Sequence, residues 1–286
     1  MAKPAKSSRS SRTKATDQIS ETHVYSNHDN NVVCITDSRG YKTHRNLSPL
    51  EIRLHESDGF IPLWANGVVL RYRFRDRGFN QFFDDDADGG KERVLKLFNK
   101  AVNAWGDAAP IAFIYDEDTS DFEFVMIPSK DCDANGCVLA SAFFPDPGRH
   151  EFRVYPSCFD QSEAEQIETF IHEIGHIYGL RHFFANVREQ DWPSHLFGED
   201  NPFSIMNYGA KSVLTDADRS DLQDLYNAVR SGELTEIDGV PFRLMQPYSS
   251  LASRRSSKHI GAKTTGVDSG NIPIQIIVGG HKLTIE

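Results

Sequence analysis

The 286-residue sequence predicts one α+β domain between two polar tails. Three observations carry that reading. Short runs that alternate apolar and polar residues crowd the stretch from 61 to 155, the pattern of half-buried strands. Three stretches carry the 3.6-residue apolar period of helices, one among the strands and two after them. Both ends of the chain lack either period.

Residues 1–60 are polar, with only brief apolar runs such as the one at Val32, Val33 and Cys34, and read as a mostly disordered segment. Five basic residues precede the first acid, Asp17, and no apolar stretch follows them, so a solvated tail is expected in preference to a transit peptide or a secretory signal. Order begins near Pro62. Asn66-Gly67 marks a turn, and 69–74 alternates as a strand does. Val94, Leu97, Phe98, Ala101 and Trp105 then fall on one stripe of an amphipathic helix. Four short strands follow at 110–115, 122–127, 138–144 and 151–155, with turns rich in proline and glycine between them. At Ser162 the period changes. Ser162 and Glu165 make a capping box, and Ile167, Phe170, Ile171 and Ile174 make an apolar face. Thr215 and Asp218 open a last helix, buried along Leu222, Leu225, Tyr226 and Val229. The expected domain is therefore 61–245, and 246–286 is a Ser-rich basic tail able to end in a β-hairpin across Gly279-Gly280.

Composition narrows the function. A net charge of −10 argues against non-specific binding to nucleic acid, and no run of 18 apolar residues exists to span a membrane. Four cysteines (Cys34, Cys132, Cys137 and Cys158) do not define a disulfide framework. Cys132 and Cys137 bracket a turn-like loop and fit either a small disulfide loop or two free thiols. Asp131, Asp133 and Asn135 open like a calcium loop, but position 12 is Ala142 where glutamate is required, so calcium there stands beside a plain solvated turn. The acids from Asp84 to Asp88 read as a solvated lead into a helix.

Chemistry concentrates between 172 and 182. His172 and His176 lie four apart on the capped helix, so both rings project from one face, as two ligands of one zinc ion do. A third ligand on the same straight helix, ten residues on, would lie about 15 Å along the axis. Gly179 supplies the left-handed turn that ends the helix and lets His182 fold back. Glu173 is not needed as a ligand and is placed to take a proton from a zinc-bound water. A bare HExxH arises by chance in roughly one chain of this length in 100; adding Gly179 and His182 lowers that to about one in 10⁵. Helical histidines with no metal are the weaker reading.

These residues, followed by the Ser-Ile-Met-Asn-Tyr-Gly of 204–209, resemble the metzincin zinc endopeptidases, whose signature is HExxHxxGxxH and a methionine-bearing turn. The resemblance covers roughly 61–230. It implies a zincin fold in which a mixed twisted sheet packs on the zinc-binding helix, with a second long helix and a C-terminal helix. It also implies one catalytic zinc on His172, His176 and His182, Glu173 as general base, and Met206 packed beneath the site. The segment 136–148 is similar to the matrixin edge strand that pairs with substrate, with Leu139 and Ala140 presenting peptide groups. Ser141 stands where matrixins carry a histidine for a second, structural zinc, and His150 alone would not hold one. Tyr208, two residues after Met206, resembles the astacin and serralysin tyrosine that stabilises the transition state. A prosegment is a further implication for 1–60, with Cys34 and Asp58 as candidate blocking residues. The expectation is a monomeric zinc-dependent endopeptidase acting on extended protein or peptide substrates; the resemblance implies secretion, the amino terminus shows no signal for it, and the compartment stays open. A catalytically weak binding module on the same scaffold is the alternative.

Overall fold

The structure, a computed structural model, describes residues 57, 59–133, 136–182, 204–206 and 212–250, with the strand segments 32–33, 52–55, 194–197, 274–278 and 281–285. Strands β1 (Val32–Val33), β2 (Ile52–His55), β3 (Ile61–Trp64) and β4 (Val68–Phe74) lead to helix α1 (Asp76–Phe83). A single 3₁₀ turn through the acids Asp84–Asp86 opens into the long helix α2 (Ala87–Trp105). Then come β5 (Ile111–Tyr115), β6 (Phe122–Met126), β7 (Cys132–Asp133), β8 (Gly136–Val138), β9 (Ala140–Ser141) and β10 (His150–Val154). Helices α3 (Pro156–Phe159) and α4 (Glu163–Ile177) precede β11 (Leu180–Arg181) and β12 (Ser194–Phe197). Helix α5 (Asp216–Ser231) is followed by β13 (Glu236–Ile237), β14 (Val240–Met245), β15 (Ile274–Val278) and β16 (His281–Ile285).

The main sheet runs β16-β15-β5-β4-β6-β10-β9. Its centre is parallel, β4 with β5 and β6, and β6 with β10, while β9 and β15 join antiparallel. Parallel neighbours require a crossover, and α1 with α2 provides it between β4 and β5. Alternation along the strands sorts the two faces. Leu70, Tyr72, Phe113, Phe122, Phe124 and Phe152 point inward, meeting Phe98 of α2 and Phe170 of α4. Arg73, Arg75, Glu123, Glu151 and Arg153 face outward in a ladder of ion pairs, which adds little stability at such exposure.

Three hydrogen bonds clamp α4 to its neighbours. Trp105 Nε1–H of α2 donates to the Ile171 carbonyl (2.9 Å), Trp64 Nε1–H of β3 to the Ile177 carbonyl (2.7 Å), and the Tyr226 hydroxyl of α5 to the Tyr178 carbonyl (3.1 Å). The packed body reaches beyond 61–245 on both sides. Leu54 and Phe60 are buried, and Ser249 donates its backbone N–H (2.7 Å) and its hydroxyl (3.0 Å) to buried Asp121. Strands β15 and β16 pair antiparallel, and β15 pairs with β5. Cys132 and Cys137 form a disulfide across the β7–β8 hairpin, so of the two open readings the bridged one holds.

Candidate metal centre

The local sequence fixes where α4 starts and stops. Ser162 Oγ accepts from the Glu165 N–H (3.4 Å), and the Ser162 N–H donates to the Glu165 carboxylate (2.9 Å), completing the capping box. At the other end Gly179 has φ +98°, a conformation L side chains rarely adopt, and its N–H donates to the His176 carbonyl (2.9 Å). The chain turns there, and β11 runs back toward the helix face that carries His172 and His176.

The three histidines meet at one point in the interior. His172 is 3% exposed, and His176 and His182 are fully buried. His172 Nδ1 lies 2.8 Å from the Ile205 carbonyl and His176 Nδ1 lies 2.8 Å from the Leu180 carbonyl. A carbonyl only accepts, so both Nδ1 atoms carry the proton and both Nε2 atoms present lone pairs when the rings are neutral. Yet His172 Nε2 is 3.0 Å from His182 Nε2 and 3.2 Å from His176 Nε2. Facing lone pairs repel unless a cation or proton lies between them. Ligand nitrogens around a tetrahedral zinc, at about 2.0–2.1 Å from the metal, stand roughly 3.3–3.4 Å apart. The donor set therefore fits one zinc ion, and each carbonyl behind a ring is the partner that usually fixes a ligand's tautomer.

The surroundings hold these rings still. Met206 is buried beneath α4, and its N–H donates to Ser204 Oγ (3.1 Å). A Cβ at Gly175 would overlap the Met206 sulfur, so glycine between Ile174 and His176 permits this close approach. Phe144 packs edge-on against His176, with ring centroids 5.4 Å apart. Glu173 follows His172 on α4 and is 2% exposed. Burial pushes the thiol of Cys158, on α3, up to about 12; Arg93 opposes the shift and the Glu173 carboxylate adds to it. Cys158 is thus an inert core residue.

Other expected residues fall elsewhere. The Leu139 carbonyl accepts from the Tyr155 N–H (2.9 Å), so Leu139 turns toward β10. Alternation then directs the peptide groups of Ala140, opposite Val154 in the ladder, toward the side of β9 that has no strand neighbour among the described residues. His150 stacks flat on Phe143 (4.4 Å), its Nε2 3.2 Å from the Asp146 carbonyl, and stands apart from the three histidines. Calcium near Asp131, Asp133 and Asn135 is not supported. Asp131 is exposed with its carbonyl bonded to the Val138 N–H (2.8 Å), because the segment closes as a disulfide-bridged hairpin, and Asn135 lies outside the described residues. Tyr208, Cys34 and Asp58 also lie outside them.

Three supports of the site were missed in the sequence: the carbonyls of Leu180 and Ile205 and the close approach at Gly175. Any residue supplies a carbonyl, so the first two leave no signal. A glycine inside an apolar helical period, costing about 1 kcal/mol against alanine, was a signal for the third.

Residues 79–188 match the family model of the matrixin peptidases. Among solved structures, two of myroilysin are similar. One is 16% identical, covering 61% of this chain and 98% of its own with a TM-score of 0.40. The other is 15% identical, covering 65% and 99% with a TM-score of 0.37. No curated protein matches the chain.

Proposed function

We infer that this chain, metzincin-type in fold and matrixin-like over residues 79–188, is a zinc metallopeptidase, and propose that it is an endopeptidase of extended protein substrates. The observation that carries the proposal is the convergence of three buried imidazoles, with the Nδ1 atoms of His172 and His176 each oriented from behind by a backbone carbonyl. His172, His176 and His182 are the proposed ligands. Zinc held by them would supply Lewis-acid polarisation of the scissile carbonyl and would acidify the attacking water.

Glu173 takes the proton from the attacking water and delivers it to the departing amine, so a single carboxylate serves as base and then as acid. Its burial favours this task, because a carboxylate removed from bulk water interacts more strongly with the few groups it meets. Ala140 pairs its peptide groups with an extended substrate along the open edge of β9, which fixes the scissile bond relative to Glu173. Tyr208, proposed on its spacing from Met206 alone, donates a hydrogen bond to the oxyanion of the tetrahedral intermediate.

The rival, a binding module without turnover, gives Glu173 no task. Casein hydrolysis by the full chain, with and without a chelator, separates the two. The proposal expects cleavage that the chelator abolishes and added zinc restores; a chain that holds zinc and cleaves nothing would leave the binding module.

A further inference from the structure

Strand β2 lies more than a hundred residues before the histidines, yet it is the middle strand of the sheet β11-β2-β12. Leu54 pairs with Leu180 and Arg53 with Arg181 on one side, and 52–55 pairs with 194–197 on the other. Leu54 is fully buried in the core. Strand β11 has two residues, and β2 is its one strand neighbour among the described residues. So short a strand cannot set its own place. What it carries is consequential: the Leu180 carbonyl orients His176 (2.8 Å), and His182 follows Arg181 directly.

We propose that Ile52–His55 is a positioning strand for the zinc centre, holding Leu180 and Arg181 in register so that His176 and His182 present Nε2 to one ion. The inference rests on reading His172, His176 and His182 as zinc ligands. Groups behind a ligand's ring contribute about 10–100-fold to metal affinity when they are lost. Here the group is a backbone carbonyl, so the strand that fixes its place has the role a supporting side chain has elsewhere. A second consequence follows. Trimming of the amino terminus is compatible with a working site only upstream of Ile52.

Because β2 is paired on both sides, a proline within it deletes a ladder donor whichever way that N–H points. The test uses the full chain as wild type, Arg53→Pro and Arg53→Thr, the last keeping the N–H and a strand-favouring side chain. Zinc affinity is measured by competition with a chromogenic chelator, and the coordination sphere by the visible spectrum of the cobalt-substituted protein. Zinc binding about 10–100-fold weaker in Arg53→Pro, with an altered cobalt spectrum and with Arg53→Thr like wild type, supports the proposal. Equal affinity and an unchanged spectrum in Arg53→Pro overturn it while leaving the zinc reading intact. A wild-type chain that binds no zinc at the histidines overturns both.

Should Arg53→Pro fail to fold, linkage decides on the wild type alone. If docking of β2 favours zinc, zinc must equally favour docking of β2. Hydrogen exchange of the amides in 52–55 is then slowed by saturating zinc, along with those of 172–182. Zinc that slows 172–182 and leaves 52–55 unchanged overturns the positioning role.

Discussion

At the scale of single residues, the cluster of three histidines was legible where residue type and helical period are tied together. Imidazoles four apart share a face whatever the fold, and a glycine three residues on is the cheapest way to turn the chain. What surrounds those rings was not legible, since the Leu180 and Ile205 carbonyls depend on where the chain goes, not on what those residues are. Gly175 lies between the two cases. Gly175→Ala forces its new methyl against the buried Met206 sulfur, so thermal unfolding should show a loss of about 1–3 kcal/mol. Combining it with Met206→Ala should recover part of that loss if the clash is the cause; additive losses would place the strain elsewhere. Tyr208→Phe removes one hydroxyl and keeps the ring. If that hydroxyl donates to the oxyanion, kcat falls about 10²–10³-fold with KM little changed. A change of only a few-fold would return Tyr208 to pocket packing.

Among elements, the strands and helices with strong local periods were readable, and those defined by distant partners were not. The apolar faces of α2, α4 and α5 fall where the sequence puts them, because an amphipathic stripe has one stable way to meet a sheet. Both capping boxes form, at Ser162 with Glu165 and at Thr215 with Asp218. Strand β2 has no comparable signature, since four residues of mixed polarity acquire meaning only from β11 and β12. The start of α4 and the end that carries His172 and His176 are separable by experiment. Ser162→Ala should cost about 1 kcal/mol of stability by denaturant titration and leave zinc affinity as it was. A fall in zinc affinity with the cap would show that fraying reaches His172, ten residues on.

For the whole molecule, α+β was predictable from the order of the periods, whereas the reach of the packed body was not. The chain after α5 returns through β14, parallel to β3, and Ser249 then bonds to Asp121. Asp121 is buried, and its carboxylate accepts three hydrogen bonds, from the Ser249 N–H and hydroxyl and from the Arg71 N–H (2.7 Å). Asp121→Ala leaves those donors without their acceptor, and unfolding should be easier by about 1–3 kcal/mol. Zinc stoichiometry should be untouched, at one ion per chain by elemental analysis. Two ions would mean that the segment holding Ser141 and His150 binds metal after all.

The central claim, that Glu173 drives hydrolysis beside a zinc ion held by three histidines, is tested most directly by comparing wild type and Glu173→Gln on one peptide substrate at matched zinc content. Glutamine keeps the size and hydrogen-bonding reach of the side chain but cannot carry the proton. Equal zinc in the two proteins and a loss of roughly 10²–10⁴ in kcat for Glu173→Gln are expected. Cleavage within about tenfold of wild type, with zinc fully retained, would contradict it.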